Sequence, residues 1–372
     1  MKDEDSASKD ILQLARLGLT GRSQDVQLYL GRMLKRYRDE LPELSCQLEA
    51  VLREASVRSS PLRREAVPSA IPVDLDSRLH LVRFEASGKL DVEPVLVGLV
   101  ADGLKQLVLE RKRRARLQAM GLKPTRTTLF VGEPGVGKTL AAKWLARELS
   151  VPLLTLDLAA VMSSFLGRTG NNVRYVLDYA KSVDCVLLLD ELDAVAKRRD
   201  DTAEVGELKR LVTVLLQEID GWPADGLLVA ATNHPGLLDP AVWRRFELVL
   251  EFPMPEGEAL AAAVRLFLGE GVKDHAKWAR ILSLAFQGAS FSDIERGLTR
   301  ARRNAAVSGE SLSLALVSLL RSRTAALTKR GRAVLAAELV RTETVSQREA
   351  YELTGTSRDT IRKALRAEQS SS

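Results

Sequence analysis

The stretch Gly132-Glu133-Pro134-Gly135-Val136-Gly137-Lys138-Thr139-Leu140 constrains this chain more than any other. Its first eight residues have the spacing G-x-x-x-x-G-K-T, between an apolar run at 128–131 and an amphipathic run at 140–145. These runs supply the strand and the helix that such a loop connects. Glycines there let backbone N–H groups close around phosphate oxygens, and the following helix offers the positive end of its dipole. Lys138 is placed to reach the β- and γ-phosphates, and the Thr139 hydroxyl to ligate Mg²⁺.

A chain of 372 residues is too long for one compact core and fits two or three domains. No apolar run approaches the roughly 18 residues of a membrane span. The start, Met1-Lys2-Asp3-Glu4-Asp5, is acidic and polar, unlike a signal peptide, so a cytoplasmic protein without a membrane partner is expected. Cys46 and Cys185 have no metal-type spacing and read as buried thiols.

In the order of the chain, residues 1–55 carry apolar side chains every three or four positions in three runs, as a small helical bundle would. Such a bundle either recruits a substrate or packs on the main domain. Residues 56–78, with Pro61, Pro68, Pro72 and four arginines, read as a linker. From residue 79 the pattern tightens, and Val92 to Val100 lead into one long helix that ends at Gly121. Apolar runs at 151–158, 183–189, 226–231 and 247–252 then alternate with helical patterns. That alternation predicts an α/β fold with a parallel sheet covered by helices on both faces.

Three further groups join the phosphate loop. The run 185–189 ends in Asp190-Glu191, so a buried parallel strand delivers two carboxylates at its C-terminal edge, where open α/β sheets bind ligands. Asp190 is placed to hold the Mg²⁺ shell and Glu191 to orient and deprotonate an attacking water. Asp193 either caps the next helix or joins the chemistry. The run 227–232 ends at Asn233, a donor and acceptor for a γ-phosphate or water, and Arg244-Arg245 stand between a short helical pattern and the next strand. Two such arginines make either a surface ion-pair site or a cation for a neighbouring subunit's nucleotide.

These motifs together resemble the AAA family of ATPases, of the SpoVK-like bacterial type and more distantly of the Vps and proteasome types, over about residues 94–323. The resemblance implies a P-loop AAA+ core at 79–255 and a helical lid at 256–323, assembled as a homo-oligomer, a hexamer, with ATP at each subunit interface. Gly132 to Thr139 would be Walker A, Asp190 and Glu191 Walker B, Asn233 sensor 1, and Arg244 and Arg245 the arginine fingers. The family spaces those arginines as R-P-G-R, whereas here they are adjacent. Residues 287–294 resemble the G-F-S-G-A-D-L segment that opens a lid helix near the base, which makes Gly288 a nucleotide contact, although Phe291 stands where glycine is usual.

Phe165-Leu166-Gly167 resembles the pore loop of polypeptide-threading members, implying a protein substrate and, by analogy with some relatives, a separate peptidase. Residues 197–201 would form a second, charged loop on that channel. The chain itself lacks H-E-x-x-H, and its three histidines are His80, His234 and His275, so the metalloprotease branch is excluded. From Arg321 onward eleven basic residues face six acidic ones. Within the final segment, 324–372, residues 347–365 resemble a helix-turn-helix with Gly355 at the turn and Arg358, Arg362, Lys363 and Arg366 facing DNA. That segment either binds DNA or packs on the lid; Tyr351 stands where the motif prefers a small residue and is expected to crowd the helices. A DNA-associated ATPase is the alternative to a protein remodeller.

Overall fold

The computed structural model describes residues 82–86, 90–158, 169–194, 205–269 and 272–369, together with Tyr29 and Met33. Apart from Tyr29 and Met33, the N-terminal segment expected to form a bundle, Cys46 included, lies outside the described residues, as do the linker, Phe165-Leu166-Gly167 and residues 197–201. The chain separates into two compact units, Met1–Val73 and Asp74–Ser372, and the boundary falls inside the proline- and arginine-bearing linker.

In the second unit a six-stranded sheet has the order β1-β3-β4-β5-β2-β6. β2 (Thr127–Val131), β3 (Leu153–Asp157), β4 (Val186–Asp190), β5 (Leu227–Thr232) and β6 (Leu248–Glu251) run parallel, as their near-continuous apolar sequences require. β1 (Arg83–Glu85) adds an antiparallel edge on β3 that the sequence did not signal, because three residues with one aromatic carry no periodicity. Alternation within the strands divides the core in two. Leu187 and Leu189 of β4 and Leu228 and Ala230 of β5 face one helical layer, while Val186, Leu188, Leu227, Val229 and Ala231 face the other.

α1 (Gly98–Lys112) and α2 (Arg114–Ala119) replace the single long helix expected there, with the break at Arg113. The preceding residues 93–97 form no helix or strand, and Val97 is extended, consistent with the break Pro94 imposes on helical structure. α3 (Lys138–Leu149) follows the phosphate loop and buries Ala141, Ala142, Leu145 and Ala146. α4 (Thr169–Ser182) and α5 (Val205–Asp220) pack on the opposite face. A short α6 (Pro240–Trp243) leads into β6.

The lid consists of α7 (Gly257–Leu268), α8 (His275–Ala285), α9 (Phe291–Ser308) and α10 (Leu312–Arg323) around a core containing Phe286, Ile281, Leu298 and Leu316. That core does not stop at Arg323. Leu335 and Leu339 of α11 (Lys329–Arg341) and Leu353 of α12 (Gln347–Thr354) belong to it. α13 (Arg358–Gln369) closes the chain against α11 and α12.

Candidate functional site

The residues picked from the sequence converge because β2, β4 and β5 end side by side. The phosphate loop leaves β2, Asp190 ends β4, and Asn233 follows β5. Lys138 is buried at the first position of α3, where its ammonium donates to the Gly132 and Glu133 carbonyls (2.6 and 3.0 Å) and to Asn233 Oδ1 (2.7 Å). Burial draws its pKa below the ordinary lysine value, opposed by the nearby carboxylates of Asp190, Asp193 and Glu133. Thr139 Oγ1 donates to Asp190 Oδ2 at 3.2 Å. That hydroxyl and carboxylate are the hard oxygen donors that Mg²⁺ takes alongside substrate phosphates. Among the described residues no cluster of three or more metal-ligating His, Cys, Asp or Glu side chains exists.

Glu191 is held in a strained conformation. Its φ of 54° places a non-glycine residue in the left-handed region at the edge of the sheet. The Asp190 carboxylate stabilises that turn by accepting the Glu191 N–H at 2.9 Å, and Glu191 stays exposed toward the cavity it lines.

Asp193 does something the sequence did not reveal. It is buried and its Oδ1 accepts both the Thr232 hydroxyl (3.1 Å) and the Asn233 N–H (3.2 Å). The carboxylate after β4 therefore fixes the end of β5 and with it the Asn233 side chain. Only the parallel pairing of β4 with β5 brings these groups together.

The ends of these strands border a cavity of about 620 Å³ that is walled on the far side by the lid residues Phe267, Phe291 and Ser292. A second, apolar cavity of about 300 Å³ adjoins it, lined by Val92 to Val97, Leu140, Phe252 and again Phe267 and Phe291. A polar space beside an apolar one matches the two halves of a nucleotide, phosphate and base. Lid and loop meet directly: Ser292 N–H donates to the Gly135 carbonyl at 3.2 Å. Gly135 has φ 80°, and a Cβ there would stand 2.7 Å from Ser290 Oγ, so only glycine permits the approach. Ser290 caps α9 in a reciprocal box with Asp293. Gly288 lines neither cavity; Phe291 and Ser292, one turn later, do.

The two arginines differ. Arg245 is held within its own subunit, its Nε pairing with Asp220 at 3.1 Å and its Nη1 donating to the Ala241 carbonyl at 2.7 Å. Arg244 is exposed, and its side chain has no hydrogen bond or ion pair among the described residues. Cys185 is buried, and burial pushes its thiol up to about 12.

The profile of the ATPase family associated with various cellular activities (AAA) matches residues 128–254, the segment from β2 to just beyond β6. The AAA family ATPase y4kL of Sinorhizobium fredii, itself described as uncharacterized, is 35% identical over 287 residues, covering 76% of this chain and 84% of that protein. This chain belongs to the AAA family of ATPases. This AAA ATPase is also 32% identical over 200 residues to the proteasome-activating nucleotidase of Methanococcus maripaludis, covering 51% of the chain and about half, 49%, of that nucleotidase. In fold, the AAA ATPase resembles the FIGL-1 AAA domain in complex with ADP, with a TM-score of 0.50 and 24% identity over 60% of this chain and 77% of that one. Among the described residues of this AAA ATPase no helix is long and apolar enough to cross a membrane.

Proposed function

We propose that this AAA ATPase is an Mg²⁺-dependent, oligomeric machine that remodels or unfolds a protein substrate in the cytoplasm. The observation that carries this reading is the convergence of Lys138, Thr139, Asp190, Glu191 and Asn233 at one sheet edge beside a cavity of nucleotide size.

In this reading the loop amides of 132–139 and Lys138 neutralise phosphate charge and hold ATP in line for attack. Thr139 and Asp190 would hold Mg²⁺, which supplies charge neutralisation across the β- and γ-phosphates. Glu191 accepts the proton of the attacking water, and Asn233 positions that water against the γ-phosphorus. The base lies in the apolar cavity, where the Phe291 ring takes the wall position that a family glycine would leave open. Arg244 acts in trans as the finger on the neighbouring subunit's nucleotide, while Arg245 shapes the segment that presents it. A hexameric ring is the arrangement that gives every nucleotide such a neighbour.

The remodelling half of the reading rests on Phe165-Leu166-Gly167 as a pore loop and on kinship to proteins named for proteasome activation. Delivery to a separate peptidase is the corresponding role for a partner.

Steady-state ATP hydrolysis by the full chain, alone and with an unfolded polypeptide, tests both halves. Glu191→Gln is expected to keep ATP binding while hydrolysis falls at least about 100-fold, the scale of a lost general base. Polypeptide stimulation that disappears in Phe165→Ala supports threading. Rapid turnover by Glu191→Gln would move the base elsewhere, and stimulation unchanged in Phe165→Ala would remove the pore role.

A further inference from the structure

The nucleotide chemistry leaves one basic surface unused. α11, α12 and α13 form a three-helix unit in which Ala336, Ala350 and Ile361 are fully buried together, with Val340, Val345 and Leu365 at the margin. α12 begins in a capping box between Ser346 and Glu349 and ends at Gly355. Gly355, with φ 65°, reverses the chain without the cost a side chain would add. Ser357 Oγ then accepts the Thr360 N–H at 3.3 Å, starting α13 two residues after the turn. Helix, glycine turn and helix backed by a third helix is the frame that carries a second helix into a DNA major groove.

The expected crowding at Tyr351 does not arise. Tyr351 is 49% exposed, and Ala350 provides the small inward contact instead, because α12 presents the preceding residue to its partners.

Charge decides what the outer face of α13 attracts. Over 358–363 only Ile361 is buried, and Arg358, Arg362 and Lys363 are exposed. Three of the six carboxylates of the unit are already engaged, and over 358–363 Asp359 is the one acidic residue. Glu338, 1% exposed, accepts Arg280 Nε of α8 (3.0 Å) and Arg341 (2.7 Å), Glu349 closes its cap, and Glu352 pairs with Arg348. The side chains of Arg358, Arg362 and Lys363 have no ion pair or hydrogen bond among the described residues. Three cations against the single carboxylate of Asp359 therefore leave a net positive field on the face of α13 that α11 and α12 do not cover.

We propose that α13 docks in the major groove of double-stranded DNA, with Arg358, Arg362 and Lys363 contacting the duplex. This surface is separate from the nucleotide cavity and does not depend on how that cavity is read.

The test is fluorescence anisotropy of a labelled 30-base-pair duplex of mixed sequence titrated with the full chain. The expected dissociation constant is about 100 µM or tighter at physiological salt, the range of sequence-independent binding. Arg358→Ser/Arg362→Ser/Lys363→Ser is expected to weaken binding at least tenfold and to reduce the slope of log affinity against log salt by about 2 to 3, one counterion release per lost contact. Lys105→Ser/Lys112→Ser/Arg113→Ser removes the same charge from α1 and the residue that follows it and is expected to bind like the parent. Basal ATP hydrolysis and far-ultraviolet circular dichroism, unchanged in both triple variants, show that the fold is kept. Three results overturn the proposal: no binding by the parent chain in this range, equal weakening by both triple variants, or poly-glutamate bound at least as tightly as the duplex. The last would assign α13 to an acidic protein partner.

Discussion

At the scale of single residues, the site depends on a carboxylate that touches no reacting atom. Asp193 accepts the Thr232 hydroxyl and the Asn233 N–H, so truncating it leaves one buried and one partly buried donor unsatisfied at a cost of about 1–3 kcal/mol. Asn233 is then free to drift from Lys138. Because loss of geometry at the reacting centre costs rate more than binding, Asp193→Ala is expected to lower kcat by up to about 100-fold with KM little changed. Asp193→Asn keeps an acceptor oxygen and should restore most of the loss. Equal falls in kcat and nucleotide affinity, or no rescue by asparagine, would show that Asp193 only stabilises the fold. The strained Glu191 belongs to this scale as well, since its left-handed φ is retained at the position proposed for the water-activating group.

At the scale of elements, α6 and the start of β6 turn two adjacent arginines into groups of different kinds. Arg245 spends its guanidinium on Asp220 and the Ala241 carbonyl, tying the end of α6 to the last residue of α5. Arg244 faces solvent. Arg244→Ala is therefore expected to abolish ATP hydrolysis while preserving nucleotide affinity and melting temperature. Mixing it with Lys138→Ala subunits should recover part of the activity, since each variant supplies the half-site the other lacks. Arg245→Ala should instead lower stability by up to about 1 kcal/mol, typical of a partly exposed ion pair, and with it the melting temperature. Full activity in Arg244→Ala would assign the finger to Arg245. Adjacency in sequence gave no basis for telling the two apart; the partners of each side chain do.

At the scale of the whole second unit, the C-terminal helices are part of the lid and not an appendage to it. Leu335, Leu339 and Leu353 share the core of α7–α10, and Glu338 is buried against Arg280 of α8. Leu339→Ala is expected to destabilise the chain by about 2–5 kcal/mol, whereas Leu314→Ala, on an exposed face of α10, should change little. Thermal unfolding followed by circular dichroism checks both. For the same reason, a chain cut after Arg323 exposes lid core, and its loss of activity could not be assigned to lost DNA contacts.

Local spacing alone determined a good deal. The Gly132 to Thr139 loop, the carboxylates ending β4 and the polar residue after β5 were legible because a phosphate loop and buried parallel strands impose short-range patterns. Only the tertiary structure decided the rest. It assigned Asp193 to Asn233, since β4 and β5 become neighbours through pairing between segments distant in sequence. It put Phe291 and Ser292 in the cavity wall and left Gly288 out, since that depends on how the lid meets Gly135. It also distinguished Arg244 from Arg245 and joined α11 and α12 to the lid core. In each case the cause is the same: hydrogen-bond partners and burial belong to the packed chain, and no periodicity in the sequence encodes them.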